Sequence, residues 1–140
     1  MATLSKFNAF VADIHNKVHN LGSDTLKVLL TNVAPVATNS VKADLSGELS
    51  TANGYTSGGA TIGITSSTQS SGTYKLIASG NTVWTASGAV GPFRYAAVYN
   101  STAGSSNLIG WLDYGSSISL ANTDTFTIAW DGTNGIFSCT

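Results

Sequence analysis

Charge is what this sequence has least of. Asp, Glu, Lys and Arg together make up 9% of its 140 residues, against about 25% in an average soluble protein. Six Lys/Arg stand against seven Asp/Glu, giving a formal net charge of −1, and no run of like charge occurs. Affinity for a phosphate backbone comes from clustered Lys and Arg, so this balance argues against a nucleic-acid partner. Cysteine is nearly missing. Cys139 stands alone, which excludes an internal disulfide, and it reads as a small hydrophobe on a last strand. No apolar run approaches the roughly 20 residues of a membrane-spanning helix. The first residues do not read as a secretory leader, because Asp13, His15 and Asn16 interrupt any apolar stretch. Without secretion, the sequon Asn100-Ser101-Thr102 means only a polar turn.

What remains is neutral. Hydrophobic residues make up 42% of the chain, enough for a packed core in one domain spanning 1–140. The surface must then be covered by Ser, Thr, Asn and Gly. These groups bond to water or to a neighbouring protein without a charge to desolvate. Such a surface lacks the repulsion that keeps copies apart, and so suits dense packing beside other subunits or homo-oligomers.

The first segment, 1–22, has a helical period. Phe7, Phe10, Val11, Ile14, Val18 and Leu21 follow i, i+3, i+4 spacing, with Lys6, Asp13, Asn16 and Lys17 opposite. Ser5 suits an N-cap and Gly22 a C-terminal stop, which predicts one amphipathic helix near Ser5–Asn20. From Asp24 onward the pattern is strands and turns. Strands are expected at Thr25–Thr31, Ala60–Ser66, Thr73–Ala78, Thr82–Ala86, Phe93–Asn100, Leu108–Tyr114, Ser116–Leu120, Thr125–Trp130 and Gly135–Cys139. Ser79-Gly80-Asn81 is sized for a hairpin. Asp131-Gly132 and Asn134-Gly135 are strong turn dipeptides. Residues 32–59 lose regular pattern, and a loop of that length usually serves function. The expectation is a mainly β chain: an antiparallel β-sandwich or barrel of about eight or nine short strands over 25–140, preceded by one N-terminal amphipathic helix.

Candidate chemistry is sparse. His15 and His19 stand at i, i+4, a spacing that can share a metal, but no His-Glu-x-x-His pattern or third ligand accompanies them. They read as helix-edge or interface residues. Asp44 and Glu48 lie in the loop and read as solvated acids; Asp113 and Asp131 read as turn formers. No Gly-x-Ser-x-Gly elbow occurs, and Gly58-Gly59 precedes a strand rather than a helix, unlike a phosphate loop. Trp84, Trp111 and Trp130 read chiefly as core. Partner contact and stacking on sugar rings are the alternatives. On Leu108–Leu112, Ile109 and Trp111 are expected on one face, Leu108 and Leu112 on the other. No catalytic residue, metal site or cofactor is expected, and the chain does not read as an enzyme.

Several stretches together carry a resemblance. They are Tyr55-Thr56-Ser57-Gly58-Gly59, Trp84-Thr85-Ala86-Ser87-Gly88 and Arg94-Tyr95-Ala96-Ala97-Val98-Tyr99-Asn100, with the flanking runs DTLKVLLTNVAP, LIGWLDYG and FTIAWDGTNGIFSCT. Over essentially its whole length the chain resembles small virion-associated structural proteins of tailed bacteriophages. The resemblance implies a virion component of head or tail with no catalytic motif. The leading expectation is a capsid decoration (cement) protein bound to the major capsid protein. A tail- or baseplate-associated protein and a carbohydrate-binding host-attachment module are the alternatives. Within the loop, Val33, Pro35, Val36, Leu45, Leu49 and Tyr55 are apolar without strand periodicity. They are the expected partner interface.

Overall fold

In the computed structural model, which describes residues 3–140, the first element is a strand rather than a helix. Strand β1 (Ser5–Lys6) pairs antiparallel with Gly110 and Trp111. Helix α1 follows at Asn8–His15, eight residues long. It is half the expected length, and Ser5 is not its cap. Phe7 occupies that position with extended backbone, and its N–H bonds to the Ile109 carbonyl at 3.2 Å. The early end has a clear cause. The Lys17 N–H bonds to Ile14 O and the Val18 N–H to Asp13 O, while Lys17 sits at φ 62°. This is a Schellman closure with lysine in the position glycine usually holds. The apolar period misled because Phe7, Val18 and Leu21 are at least partly covered on non-helical backbone, whereas Val11, inside the helix, is 45% exposed.

The remaining strands are β2 (Leu26–Thr31), β3 (Ala60–Ile62), β4 (Ile64–Ser70), β5 (Thr73–Ala78), β6 (Thr82–Thr85), β7 (Val90–Asn100), β8 (Leu108–Leu120), β9 (Thr125–Ile128) and β10 (Phe137–Cys139). They form a five-stranded sheet, β1-β8-β7-β2-β3, a three-stranded sheet, β10-β5-β4, and the pair β6-β9. All of the pairings are antiparallel. The fold is therefore mainly β, sandwich-like and open, with one α-helix among the described residues, near their N-terminal end.

Four expectations about strands change. Ser79-Gly80-Asn81 does not close a hairpin; it carries the chain from β5 in one sheet to β6 in another. The expected strand Ala60–Ser66 breaks at Gly63, whose carbonyl accepts the Ser79 N–H at 2.8 Å. β8 runs unbroken through Gly115, which takes φ 94°. A register shift opposite Val98 and Tyr99 marks a bulge in β8. Ile109 and Leu112 consequently join one core, and Leu108 and Trp111 the other, so the expected alternation fails there.

β2 explains why its sequence, LKVLLT, is apolar without alternation. Leu26, Val28 and Leu30 enter the main core, with Phe10, Trp84, Phe93 and Ile128, while Leu29 enters a second core with Phe7, Tyr99 and Leu108. A strand covered on both faces needs apolar residues on both. Cys139 lies on the last strand, but exposed.

Candidate functional site

The long loop was expected to leave its apolar side chains free for a partner. It does so only in part. Tyr55 is 2% exposed and packs in the main core, and Pro35 is also buried. Leu49 packs against the main core and Leu45 against the second. Val33 and Val36 alone of the expected set stand well into solvent, at 47% and 54% exposure. An irregular segment can still bury apolar groups one at a time when it wraps a sheet whose other face is already covered, and 32–59 does that.

The wrap is pinned. The Thr31 hydroxyl donates to Ser46 O at 2.7 Å and accepts from the Val33 N–H at 3.1 Å. The Leu49 N–H reaches Leu30 O at 3.1 Å, the Asn8 N–H reaches Ala37 O and the Leu108 N–H reaches Ser40 O, both at 2.9 Å. The Asp44 carboxylate accepts the Ser40 and Val41 N–H groups at the 3-10 turn Lys42–Asp44. Those bonds hold its pKa below the usual carboxylate value. Val33 and Val36 thus project from fixed backbone.

Glu48 is not the solvated acid expected of a loop. One carboxylate oxygen accepts the Tyr55 hydroxyl at 3.1 Å and the Gly58 N–H; the other pairs with the Lys42 ammonium at 2.9 Å. Burial works to raise its pKa, but the bonds from Gly58, Lys42 and Tyr55 prevail and the carboxyl stays below its ordinary value. Burial pushes the Tyr55 phenol well up, with Glu48 beside it adding to the rise. The Tyr55 oxygen also accepts the Leu30 N–H at 3.1 Å, and Tyr99 donates to Gly58 O at 2.7 Å. Gly59 has to be glycine. At φ 75°, a β-carbon there would lie 1.9 Å from Val28 O. These contacts tie the far end of the loop to β2 and β7.

The two histidines do not share a helix face, because the helix ends at His15. His15 is exposed, its Nδ1 2.7 Å from Val11 O. The His19 side chain is fully buried beside Asn100. The Asn100 amide has one possible orientation. Its Oδ1 accepts the Thr102 and Ala103 N–H groups at 2.9 and 3.1 Å, so Nδ2 is the end that faces His19 Nδ1 at 3.1 Å and Asp24 Oδ2 at 2.6 Å. His19 Nδ1 is then an acceptor, and the neutral ring carries its proton on Nε2. Nε2 has no hydrogen-bond partner, and Asp13 Oδ2 is 3.9 Å away. Burial lowers the His19 pKa; Asp13 and Asp24 oppose this with smaller effect. Among the described residues no cluster of three or more metal-ligating side chains occurs.

A cleft of about 730 Å³ opens between the β7–β8 ribbon and the segment from β9 to Ile136. Its wall carries Phe93, Tyr95, Tyr114, Phe126 and Trp130. Phe126 is held by Trp84, stacked at 5.9 Å, and by Phe93 and Tyr114, edge-on at 4.9 and 5.9 Å. Trp130 is anchored by its indole N–H, which donates to the Thr82 hydroxyl at 3.0 Å. At the rim, Arg94 Nε and Nη2 grip the Asp113 carboxylate at 2.7 and 2.9 Å, and the Arg94 guanidinium lies 5.2 Å from the Tyr95 ring centroid. Asp113 was expected at a strand end as a turn former. It lies inside β8 instead, and its pairing with Arg94 depends on the β7–β8 register. Asp131 does form its expected turn, accepting the Thr133 and Asn134 N–H groups at 2.8 Å each. Trp84 is buried, whereas Trp111 and Trp130 are only half-buried. No protein-family model, no curated protein and no solved structure matches this chain.

Proposed function

We propose that the chain is a non-enzymatic structural component of a tailed-bacteriophage virion, a capsid decoration protein that binds the major capsid protein in many copies. The observation carrying this reading is the pair Val33 and Val36, held in solvent at 47% and 54% exposure on a loop whose backbone is bonded to β2 and α1. Two apolar side chains presented from rigid backbone lose little conformational freedom when covered. The chain as a whole is poor in charge, with 9% Asp, Glu, Lys and Arg, so contact with a neighbour desolvates few ions. The mechanism is adhesive: whatever binds only the assembled shell stabilises it by mass action.

Attachment of this kind resists sodium chloride, which screens charges but leaves buried apolar area intact. Moderate guanidinium releases it first. Sedimentation of particles across a salt series is the test, with a Val33→Asp/Val36→Asp double variant alongside. Both sites are exposed, so each change alters stability by no more than about 0.5 kcal/mol, while the variant fails to co-sediment. Loss of the wild-type protein in ordinary salt, or full binding by the double variant, rejects the reading. A copy number on the order of hundreds per particle fits the shell; a few to tens moves the proposal to the tail or baseplate.

A further inference from the structure

We propose that the cleft between the β7–β8 ribbon and the β9–Ile136 segment binds a neutral oligosaccharide. Its volume, about 730 Å³, falls within the roughly 300–1,000 Å³ of small-molecule sites. The assignment of ligand class rests on three features that occur together. The first is a fixed aromatic wall. Phe126 is packed by rings on three sides, and Trp130 is tethered through its indole nitrogen to Thr82. The rings are therefore positioned before a ligand arrives, which lowers the entropic cost of binding. Pyranose rings present apolar C–H faces that stack on such walls.

The second feature is the mixture of donors and acceptors at the rim. A sugar hydroxyl both donates and accepts, so its site must offer both. Arg94 uses Nε and Nη2 on Asp113, leaving Nη1 outside the pair. Asp113 and Asp131 each accept three bonds within the chain, two of them on Oδ1, so Oδ2 is the oxygen with acceptor capacity left on each. Tyr114, 59% exposed, supplies a phenol that can do either. The Arg94–Asp113 fork is planar and mutually oriented, so both partners keep their direction while a vicinal diol bridges them.

The third feature is charge. The charged residues lining the cleft are Arg94, Asp113 and Asp131, one cation and two carboxylates. Arg94 is already matched by Asp113. Among the described residues lining the cleft no second cation occurs, and Lys75, just outside it, is engaged with Thr133 O. Sialylated, sulfated or phosphorylated ligands therefore meet more negative than positive charge on the lining itself. A purely apolar ligand would leave the Arg94–Asp113 pair covered and partly unsatisfied. Neutral polyols with an apolar face satisfy both limits. The cleft includes neither Val33 nor Val36, so this site stands or falls apart from the adhesive surface.

The test uses the purified full chain on an array of neutral and acidic glycans, followed by titration of the best neutral hits, glucose-, galactose- and N-acetylhexosamine-containing oligosaccharides, read by tryptophan fluorescence. Saturable binding of at least one neutral oligosaccharide is expected. Tyr114→Ala is expected to weaken it about tenfold, the upper range for loss of one aromatic contact. Arg94→Lys, which keeps the charge and loses the fork, is expected to weaken it as well. Both positions are substantially exposed, and thermal melts verify that the variants fold. An array without a neutral binder, tighter binding of acidic glycans than of neutral ones, or wild-type affinity in both folded variants overturns the proposal.

Discussion

Mild acid should destabilise this protein through one imidazole. In the folded chain, His19 accepts from Asn100 at Nδ1, and Asn100 cannot turn its amide because Oδ1 holds the Thr102 and Ala103 N–H groups. Protonation would put a second donor at Nδ1, facing the Asn100 NH2. Burial adds to the penalty, and the folded-state pKa lies below the ordinary histidine value. The sign follows. Between the folded and unfolded pKa values the unfolded chain holds one more proton, so unfolding draws protons in and stability falls as pH falls. The loss starts near pH 6.5, where an unfolded histidine titrates, and ends where the folded imidazole itself protonates. One proton gives a slope of at most about 1.4 kcal/mol per pH unit. Down to pH 5 the ceiling is about 2 kcal/mol, measurable against a total stability of roughly 5–15 kcal/mol. The exposed Asp44, Asp113 and Asp131 carboxyls and the half-buried Glu48 have lowered pKa values. Their losses set in where unfolded carboxyls titrate, roughly pH 4–5, and deepen below it, so they touch only the lower edge of this window. Urea unfolding from pH 5 to 8 measures the slope. His19→Asn keeps an acceptor for Asn100 and removes the titration, so its curve should be flatter by the His19 share. Equal slopes in the two proteins, or a His19 pKa of 6.5 or higher by NMR in the native state, would refute the reasoning.

Two further outcomes test the helix and its closure. Lys17→Gly removes a side chain from φ 62° at the Schellman position and should stabilise the protein by about 0.5–1 kcal/mol in denaturant melts, since the left-handed region penalises any residue with a β-carbon. Phe10 is 6% exposed and meets Phe137 edge-on at 5.2 Å. Phe10→Ala should cost roughly 3–5 kcal/mol and lower the melting temperature of the isolated chain, whereas an unchanged melt would mean that the helix packs on nothing of its own.

The strands were legible where their cause is local. Thr125–Trp130 alternates in sequence, and the structure keeps Phe126, Ile128 and Trp130 at least partly covered while Thr125, Thr127 and Ala129 face out. The turn at Asp131 follows from its side chain capping its own next residues. Partners were not legible. β6 lies beside β9, with Thr82 opposite Ile128, and no local signal distinguishes that pairing from the expected hairpin with β5. The helix misread has the same origin. Periodicity reports which residues become covered, and covering Phe7, Val18 and Leu21 does not require that they sit on helical backbone.

The same limit governs the sites, and it points to where sequence reading fails most. Val33 and Tyr55 carry similar sequence signals, apolar and aperiodic in one loop, yet one is 47% exposed and the other 2%. The difference is made by Glu48, which takes the Tyr55 hydroxyl, and by the Leu30 N–H, which takes the same oxygen from the other side. A tyrosine with its polar end satisfied can be buried whole. Val33 belongs to neither core, and what ties it down is its backbone N–H, bonded to the Thr31 hydroxyl. Arg94 and Asp113 become a fork only through the pairing of β7 with β8, and His19 meets Asn100 across 81 residues. In a chain with so few charges, each of these pairings is a large share of the polar chemistry available. Sequence reading therefore fails most at the polar pairs whose partners lie far away in the chain, as with Asn100 and His19.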